Sequence, residues 1–202
     1  MSALYHLTTL TIGLGTAPEV LAGVERWCAN APGTLLGCWT ADVGDLNQVL
    51  VLQGFVDDAA SDVERRRALE AEDPFNCARH VTALSVDRHA AFPGVAPVRP
   101  GRMGPVYEVR RYTLRVGGLP TLLARWAEML PARNAHSPVL VAMHALDGQP
   151  RIVHIWPYAD LAERDRKRGE AVAMGIWPPP TAPQIASMQS SVVFPAPFSP
   201  LQ

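Results

Sequence analysis

Cysteine is scarce in this 202-residue chain, which contains Cys28, Cys38 and Cys77 alone. The three are odd in number and widely spaced, and no C-x-x-C motif is present. A disulfide framework and a structural zinc site are therefore not expected. A chain of this length can bury most of its apolar surface without either.

The sequence also lacks long hydrophobic runs and an excess of charge of one sign. It has no stretch of about 18 apolar residues that could cross a membrane, and its N-terminus has no cationic segment before an apolar core, as a signal peptide would. The net charge is −1 at pH 7, so no basic surface indicates nucleic acid or a membrane as a partner. We expect a soluble, cytoplasmic protein.

Several catalytic signatures are missing as well. The sequence has no glycine-rich phosphate loop, no G-x-S-x-G elbow and no dinucleotide fingerprint. These absences argue against a nucleotide-dependent enzyme and against a serine hydrolase. We expect neither a tightly bound cofactor nor a metal ion.

Proline, in contrast, is abundant, with 19 residues against a usual share of about 5%. Prolines and glycines concentrate in residues 93–105, which are too poor in backbone donors to form a helix or a central strand. This segment predicts a boundary. We divide the chain into a first half (residues 1–92), a linker (residues 93–105) and a second half (residues 106–202).

The two halves repeat one pattern at an offset of 102 positions. Residues 5–12 and 107–114 both have the pattern of a strand, and each is followed by an amphipathic helix. The apolar helix positions correspond one to one: Val20, Leu21, Val24, Trp27 and Cys28 in the first half, and Leu122, Leu123, Trp126, Met129 and Leu130 in the second. The correspondence predicts an internal duplication.

Two strands, a charged helix and a final strand follow in each half. We place them at 35–41, 48–56, 58–72 and 81–88, and then at 139–146, 151–158, 160–174 and 185–194. The order βαββαβ, present twice, is typical of ferredoxin-like units. Because helices would cover one face of each sheet, we expect an α+β fold in which tandem ferredoxin-like repeats pack sheet to sheet as an α+β barrel. The space between the sheets is the expected ligand site.

Residues 37–49 read G-C-W-T-A-D-V-G-D-L-N-Q-V, which is similar to the G-x-W-x-T-E-x-G-x-L-N-x-V segment of a known family. Residues 107–114, 154–160 and 195–201 strengthen the match, and together these segments resemble the NIPSNAP family of the dimeric α+β barrel superfamily. The resemblance implies the fold. It implies no single reaction, since family members range from proposed small-molecule enzymes to proteins linked to trafficking.

The first half departs from the family pattern. Where the family carries H-L-W, this chain has V-L-Q at residues 51–53, and the histidine and tryptophan are present in the second half as His154 and Trp156. Asp42 replaces the family's glutamate. These departures suit one asymmetric site better than two equivalent ones.

The strand at 151–158 carries the main site candidates. By alternation, Ile152, His154, Trp156 and Tyr158 share one face. If that face lines the enclosed space, His154 is the candidate general acid or base, since its pKa lies near neutrality, and Trp156 and Tyr158 would contact the substrate. If the face packs on helices instead, His154 is a structural residue with a backbone partner.

The remaining candidates lie on other strands and turns. Arg110 and Arg111 point to opposite faces, and we expect Arg110 to point inward and hold an anionic oxygen of the substrate, unless it pairs with a neighbouring carboxylate. Further candidates for substrate binding are Trp39, Asp42, Asn47 and His144. The alternative for the first three is a role in the core or in the turn through Gly44.

These features predict a small-molecule-binding protein, and specifically an enzyme that acts without a tightly bound cofactor on a largely apolar, oxygenated metabolite. Isomerisation, cyclisation, decarboxylation and cofactor-free oxygenation all suit such a site. The alternative is a non-catalytic binding or interaction module whose barrel interior is filled by side chains. A homo-oligomer fits either prediction.

Overall fold

A computed structural model describes residues 3–202; Met1 and Ser2, part of the segment on which the absence of a signal peptide was inferred, lie outside the described residues. The elements of the first half are β1 (Leu4–Ile12), α1 (Ala17–Cys28), β2 (Thr34–Val43), β3 (Gln48–Phe55), α2 (Asp58–Glu70) and β4 (Val81–Ala91). Those of the second half are β5 (Val106–Leu114), α3 (Leu119–His136), β6 (Val141–Ala145), β7 (Arg151–Tyr158), α4 (Leu161–Ala173) and β8 (Ile185–Pro195). The predicted βαββαβ order is confirmed in both halves.

The eight strands close into one antiparallel barrel in the order β1-β3-β2-β8-β5-β7-β6-β4. Each half contributes four adjacent strands. Two seams join the halves: β2 pairs with β8, and β4 pairs with β6. Duplication therefore supplies the second sheet within one chain, and the predicted α+β barrel of tandem ferredoxin-like repeats is confirmed.

The barrel interior is filled by side chains. Trp39 and Tyr107 lie at its centre with ring centroids 5.3 Å apart, and both are fully buried. Strand β7 turns Val153 and Ile155 inward. The expectation of a ligand space between the two sheets is therefore wrong, because these aromatic and branched residues occupy it.

The helices cover the outer faces of the barrel, α1 and α2 over the first half and α3 and α4 over the second. The two charged helices begin alike, since Asp57 accepts a hydrogen bond from the backbone N–H of Ala60 and Asp160 from that of Glu163. Such caps satisfy donors that the first turn leaves unpaired. Ile152 and the alternate residues that follow it on β7 face α3 and α4, so this face lies outside the barrel.

A tryptophan-lined candidate pocket in the second half

A cavity of about 650 Å³ lies between the outer face of the second sheet, helices α3 and α4, and the chain that leads into β8. We call it the tryptophan pocket. It is lined by Glu108, Arg110, Tyr112, Trp126, Arg133, His154, Trp156, Tyr158, Arg168, Gly169, Val172, Trp177, Pro178, Pro179, Thr181, Ala182, Ile185, Ala186, Ser187 and Met188. Its volume is typical of sites that enclose a small organic ligand.

Regular periodicity brings these side chains together. Alternation along β5 aims Glu108, Arg110 and Tyr112 at the helices, and alternation along β7 does the same for its histidine and the aromatic residues after it. On α3, Trp126 and Arg133 are seven positions apart and so lie on one side of the helix. The pocket is thus built from strands β5, β7 and β8, helices α3 and α4, and the loop between α4 and β8, all of the second half.

Tryptophan rings form the apolar wall. Trp177 packs edge-on against Trp126, with centroids 4.7 Å apart, and against Trp156, at 5.6 Å. The guanidinium of Arg133 lies 4.3 Å from the centroid of Trp156 and donates a hydrogen bond of 2.8 Å to the carbonyl of Ser137. Burial lowers the pKa of Arg133, and the cation–π contact helps to hold its charge there.

His154 is held in one tautomer. The indole N–H of Trp156 donates to its Nδ1 over 2.6 Å; because an indole nitrogen can only donate, the imidazole proton must sit on Nε2. That Nε2 is buried and has no hydrogen-bond partner among residues 3–202. Burial, followed by the charge of Arg110, lowers the pKa of His154 to about 3, so the ring is neutral at physiological pH.

Glu108 gathers the positive charges of the pocket. It is 1% exposed and accepts hydrogen bonds from Arg164 at 2.6 Å, from Arg168 at 2.9 and 3.1 Å, and from Arg110 at 3.2 Å. The hydroxyl of Ser190 adds a fourth donor at 2.8 Å. Burial alone would raise the pKa of Glu108, but these hydrogen bonds and charges lower it to about 2.

Four of the predicted site residues meet in this pocket: His154, Arg110, Trp156 and Tyr158. The expected direction of Arg110 is wrong, however. Arg111 is the residue that points into the barrel, where it donates to the hydroxyl of Thr9, because it shares the inward alternation of Tyr107 and Val109. Arg110 instead faces the helices and does pair with a carboxylate, Glu108.

The other four candidates lie elsewhere. Trp39 is in the barrel interior, and Asp42 is exposed near the β2–β3 turn. Asn47 lies in that turn with a positive φ of 54°, and its carbonyl accepts a hydrogen bond from the N–H of Ile12. His144, on β6, is half-buried and is not among the residues that line the tryptophan pocket.

Sequence reasoning did not select Glu108, Trp126, Arg133, Arg168 and Trp177 as site residues. The sequence does contain part of the signal, since Glu108 shares a strand face with Arg110, and Arg168 on the charged helix of the second half has a counterpart on that of the first half, Arg65. The spacing of residues could not show that α4 packs across β5 with Arg168 next to Glu108. That register depends on packing between elements distant in sequence.

The corresponding space in the first half is filled. Judged by strand register and repeat offset, the counterparts of His154, Trp177 and Glu108 are Val51, Phe75 and His6. Phe75 is fully buried and stacks on Trp27 at 5.1 Å, and His6 is hydrogen-bonded to Ser61. The two halves therefore differ at this position: the first half has a packed core, and the second half has a cavity.

Within residues 3–202, no group of three or more His, Cys, Asp or Glu side chains is placed to hold a metal ion. No helix in this part of the chain is long and apolar enough to cross a membrane.

Relatives of known structure share this fold. A candidate monooxygenase from Lactobacillus acidophilus aligns with a TM-score of 0.67 and 13% identity, over 96% of this chain and 94% of that one. An anthrone oxidase-like protein aligns with a TM-score of 0.63 and 10% identity, over 99% of this chain and 94% of that one. At such identities the likeness concerns the fold alone.

Relatives in sequence identify the family. The Protein NipSnap of Drosophila melanogaster is 27% identical over 203 residues, covering 94% of this chain and 72% of that protein. Protein NipSnap homolog 2 of Mus musculus is 28% identical over 206 residues, covering 92% and 73%. The family model described as NIPSNAP matches residues 5–88 and 107–200. Because that match spans both halves of the barrel, the chain belongs to the NIPSNAP family.

Proposed function

We propose that the protein binds a largely apolar, oxygenated small molecule in the tryptophan pocket and converts it without a tightly bound cofactor. The observation that carries this proposal is that His154 lines the cavity, while its buried Nε2 has no hydrogen-bond partner among residues 3–202. An unsatisfied buried donor costs about 1–3 kcal/mol. A ligand oxygen placed beside Nε2 would remove that cost.

His154 acts in this proposal as a neutral donor. An ordinary histidine pKa would allow both an acid and a base role. The donor role alone remains here, because Trp156 occupies Nδ1 and the lowered pKa of His154 disfavours the imidazolium ion. A neutral imidazole N–H stabilises negative charge that develops on a carbonyl or enolate oxygen. Isomerisation, cyclisation, decarboxylation and cofactor-free oxygenation all develop such charge.

Cofactor-free oxygenation is the first of these reactions to test. The structural neighbours include candidate monooxygenases and an anthrone oxidase-like protein, and the tryptophan wall suits a flat, fused-ring substrate. Fold likeness alone does not assign an activity, so the support is the combination of that likeness with a large aromatic cavity and one fixed donor.

The experiment is oxygen consumption by the purified protein with anthrone, a fused-ring ketone whose methylene group dioxygen oxidises to a second carbonyl with release of water. We expect turnover that falls at least tenfold in His154→Ala, since loss of an oxyanion donor costs about that much or more. The control is His80→Ala, a histidine in the first half, distant from the tryptophan pocket along the chain. Equal turnover in His154→Ala and the parent protein would remove His154 from the proposal.

A second candidate function is binding without catalysis, and the filled barrel interior favours it. It predicts that a ligand enters the tryptophan pocket and leaves unchanged. Native mass spectrometry of the purified protein separates the two cases by the mass of any retained molecule before and after aerobic incubation. The same spectra test the predicted homo-oligomer, while the predicted cytoplasmic location needs imaging of the tagged protein in its own cell.

A further inference from the structure

We infer that the ligand of the tryptophan pocket is a flat aromatic molecule that carries one anionic oxygen group, such as a carboxylate or a phenolate. This inference rests on the proposed binding function and adds the charge of the ligand and the residues that select it. It follows from the balance of charges around the cavity, from donors left without partners, and from the shape of the apolar wall.

Positive charge exceeds negative charge at the pocket. Arg110, Arg133 and Arg168 line it, whereas Glu108 is the single carboxylate among its lining residues. That carboxylate is further shared with Arg164. Within residues 3–202, Arg133 has no carboxylate at ion-pair distance and rests on a carbonyl and on tryptophan faces instead. The neutral His154 adds no charge, so an anionic ligand would reduce the excess of positive charge.

Donor atoms remain unused at the same place. The buried Nε of Arg110, the buried Nε of Arg133 and the Nε2 of His154 have no hydrogen-bond partner in the described part of the chain. Charge-assisted hydrogen bonds from guanidinium groups to an oxyanion are among the stronger polar contacts in proteins.

Glu108 is a positioning residue for this anion contact. Through its two carboxylate oxygens it fixes guanidinium groups from β5 and α4, and Ser190 of β8 braces it from a third element. Because Glu108 accepts both hydrogen bonds of the Arg168 guanidinium from one nitrogen, Nη1, the group has a defined direction while its other nitrogens can still donate to a ligand. The tryptophan rings then restrict the rest of the ligand to a flat apolar body.

The test compares two ligands that have the same ring system and nearly the same shape but differ in charge. Anthracene-2-carboxylate and anthracene-2-carboxamide are titrated into the full chain at low ionic strength, and binding is followed by quenching of tryptophan fluorescence. We expect the carboxylate to bind at least tenfold more tightly, with an advantage that shrinks as salt is added. Equal affinities would overturn the inference and leave the proposed function standing, whereas no binding of either probe would overturn both.

Variants locate the anion contact. Arg168→Gln should weaken binding of the carboxylate severalfold more than binding of the carboxamide, and Arg168→Lys should restore part of the difference. The matched control is Arg65→Gln, which alters the corresponding arginine of α2 beside the filled half. If Arg168→Gln melts early, Arg110→Gln serves as the second variant. A carboxylate advantage that survives in both Arg168→Gln and Arg110→Gln would contradict the inference.

Discussion

The ion cluster at Glu108 allows its contribution to the free energy of unfolding to be predicted. Replacing Glu108 with glutamine keeps the size of the side chain but removes the charge that Arg110, Arg164 and Arg168 share. The pKa of Glu108 lies at about 2, against an ordinary value of 4.5. That difference corresponds to about 3 kcal/mol of folding free energy at neutral pH. Loss of one partner from a buried ion cluster has costs of the same order.

The sign of the pH dependence follows from the direction of the shift. Since the pKa of Glu108 is lowered on folding, its contribution is complete at neutral pH and is lost as pH falls from about 4.5 towards 2. The gap in unfolding free energy between the parent protein and Glu108→Gln should therefore narrow by about 2 kcal/mol between pH 7 and pH 3. Other carboxylates titrate in both proteins, so their effects cancel in the difference.

Urea unfolding followed by circular dichroism at pH 7, 5, 4 and 3 measures this gap. The control variant is Glu128→Gln, because Glu128 belongs to an exposed pair with Arg125, and such pairs contribute about 0–1 kcal/mol. A gap for Glu108→Gln that stays constant from pH 7 to pH 3, or that matches the control, would refute the reasoning about the buried cluster.

Two further predictions concern other parts of the fold. Burial lowers the pKa of His154 to about 3 and those of His6 and His89 to about 4, so nitrogen NMR should show these three imidazoles neutral between pH 5 and 8. Titration of His154 near pH 6.5 would contradict its burial as a neutral ring. In Gly37→Ala, the new Cβ would come within 2.5 Å of the buried ring of Trp39, and we expect a loss of about 1–3 kcal/mol in urea unfolding; an unchanged midpoint would show that the interior is not tightly packed.

Most of the fold could be predicted from the sequence because the signals are local and occur twice. Alternating strands and amphipathic helices recur at a constant offset, and βαββαβ units leave one sheet face that needs cover. The direction of β7 could not be predicted, since both of its faces are apolar: Val153 and Ile155 on one, Ile152 and Trp156 on the other. Periodicity grouped His154 with Trp156 but could not tell whether the barrel or the helices would receive them.

Part of the candidate site could be predicted from the sequence. Alternation along β7 grouped His154, Trp156 and Tyr158, and alternation along β5 separated Arg110 from Arg111. The partner that organises the arginines, Glu108, lies on β5, whereas Arg168 comes from α4, 60 positions later. No spacing rule links two such positions, because their contact depends on how a helix packs across a sheet.

The proposed ligand site lies beneath the helices of the second half and not inside the barrel, and the five tryptophans test that position directly. Trp126, Trp156 and Trp177 line the pocket, Trp39 lies in the barrel interior, and Trp27 lies in the filled first half. Fluorine NMR of protein labelled with 5-fluorotryptophan should show the first three signals shifting when anthracene-2-carboxylate is added, with Trp39 and Trp27 unchanged. A shift confined to Trp39 would place the ligand between the sheets and contradict the account.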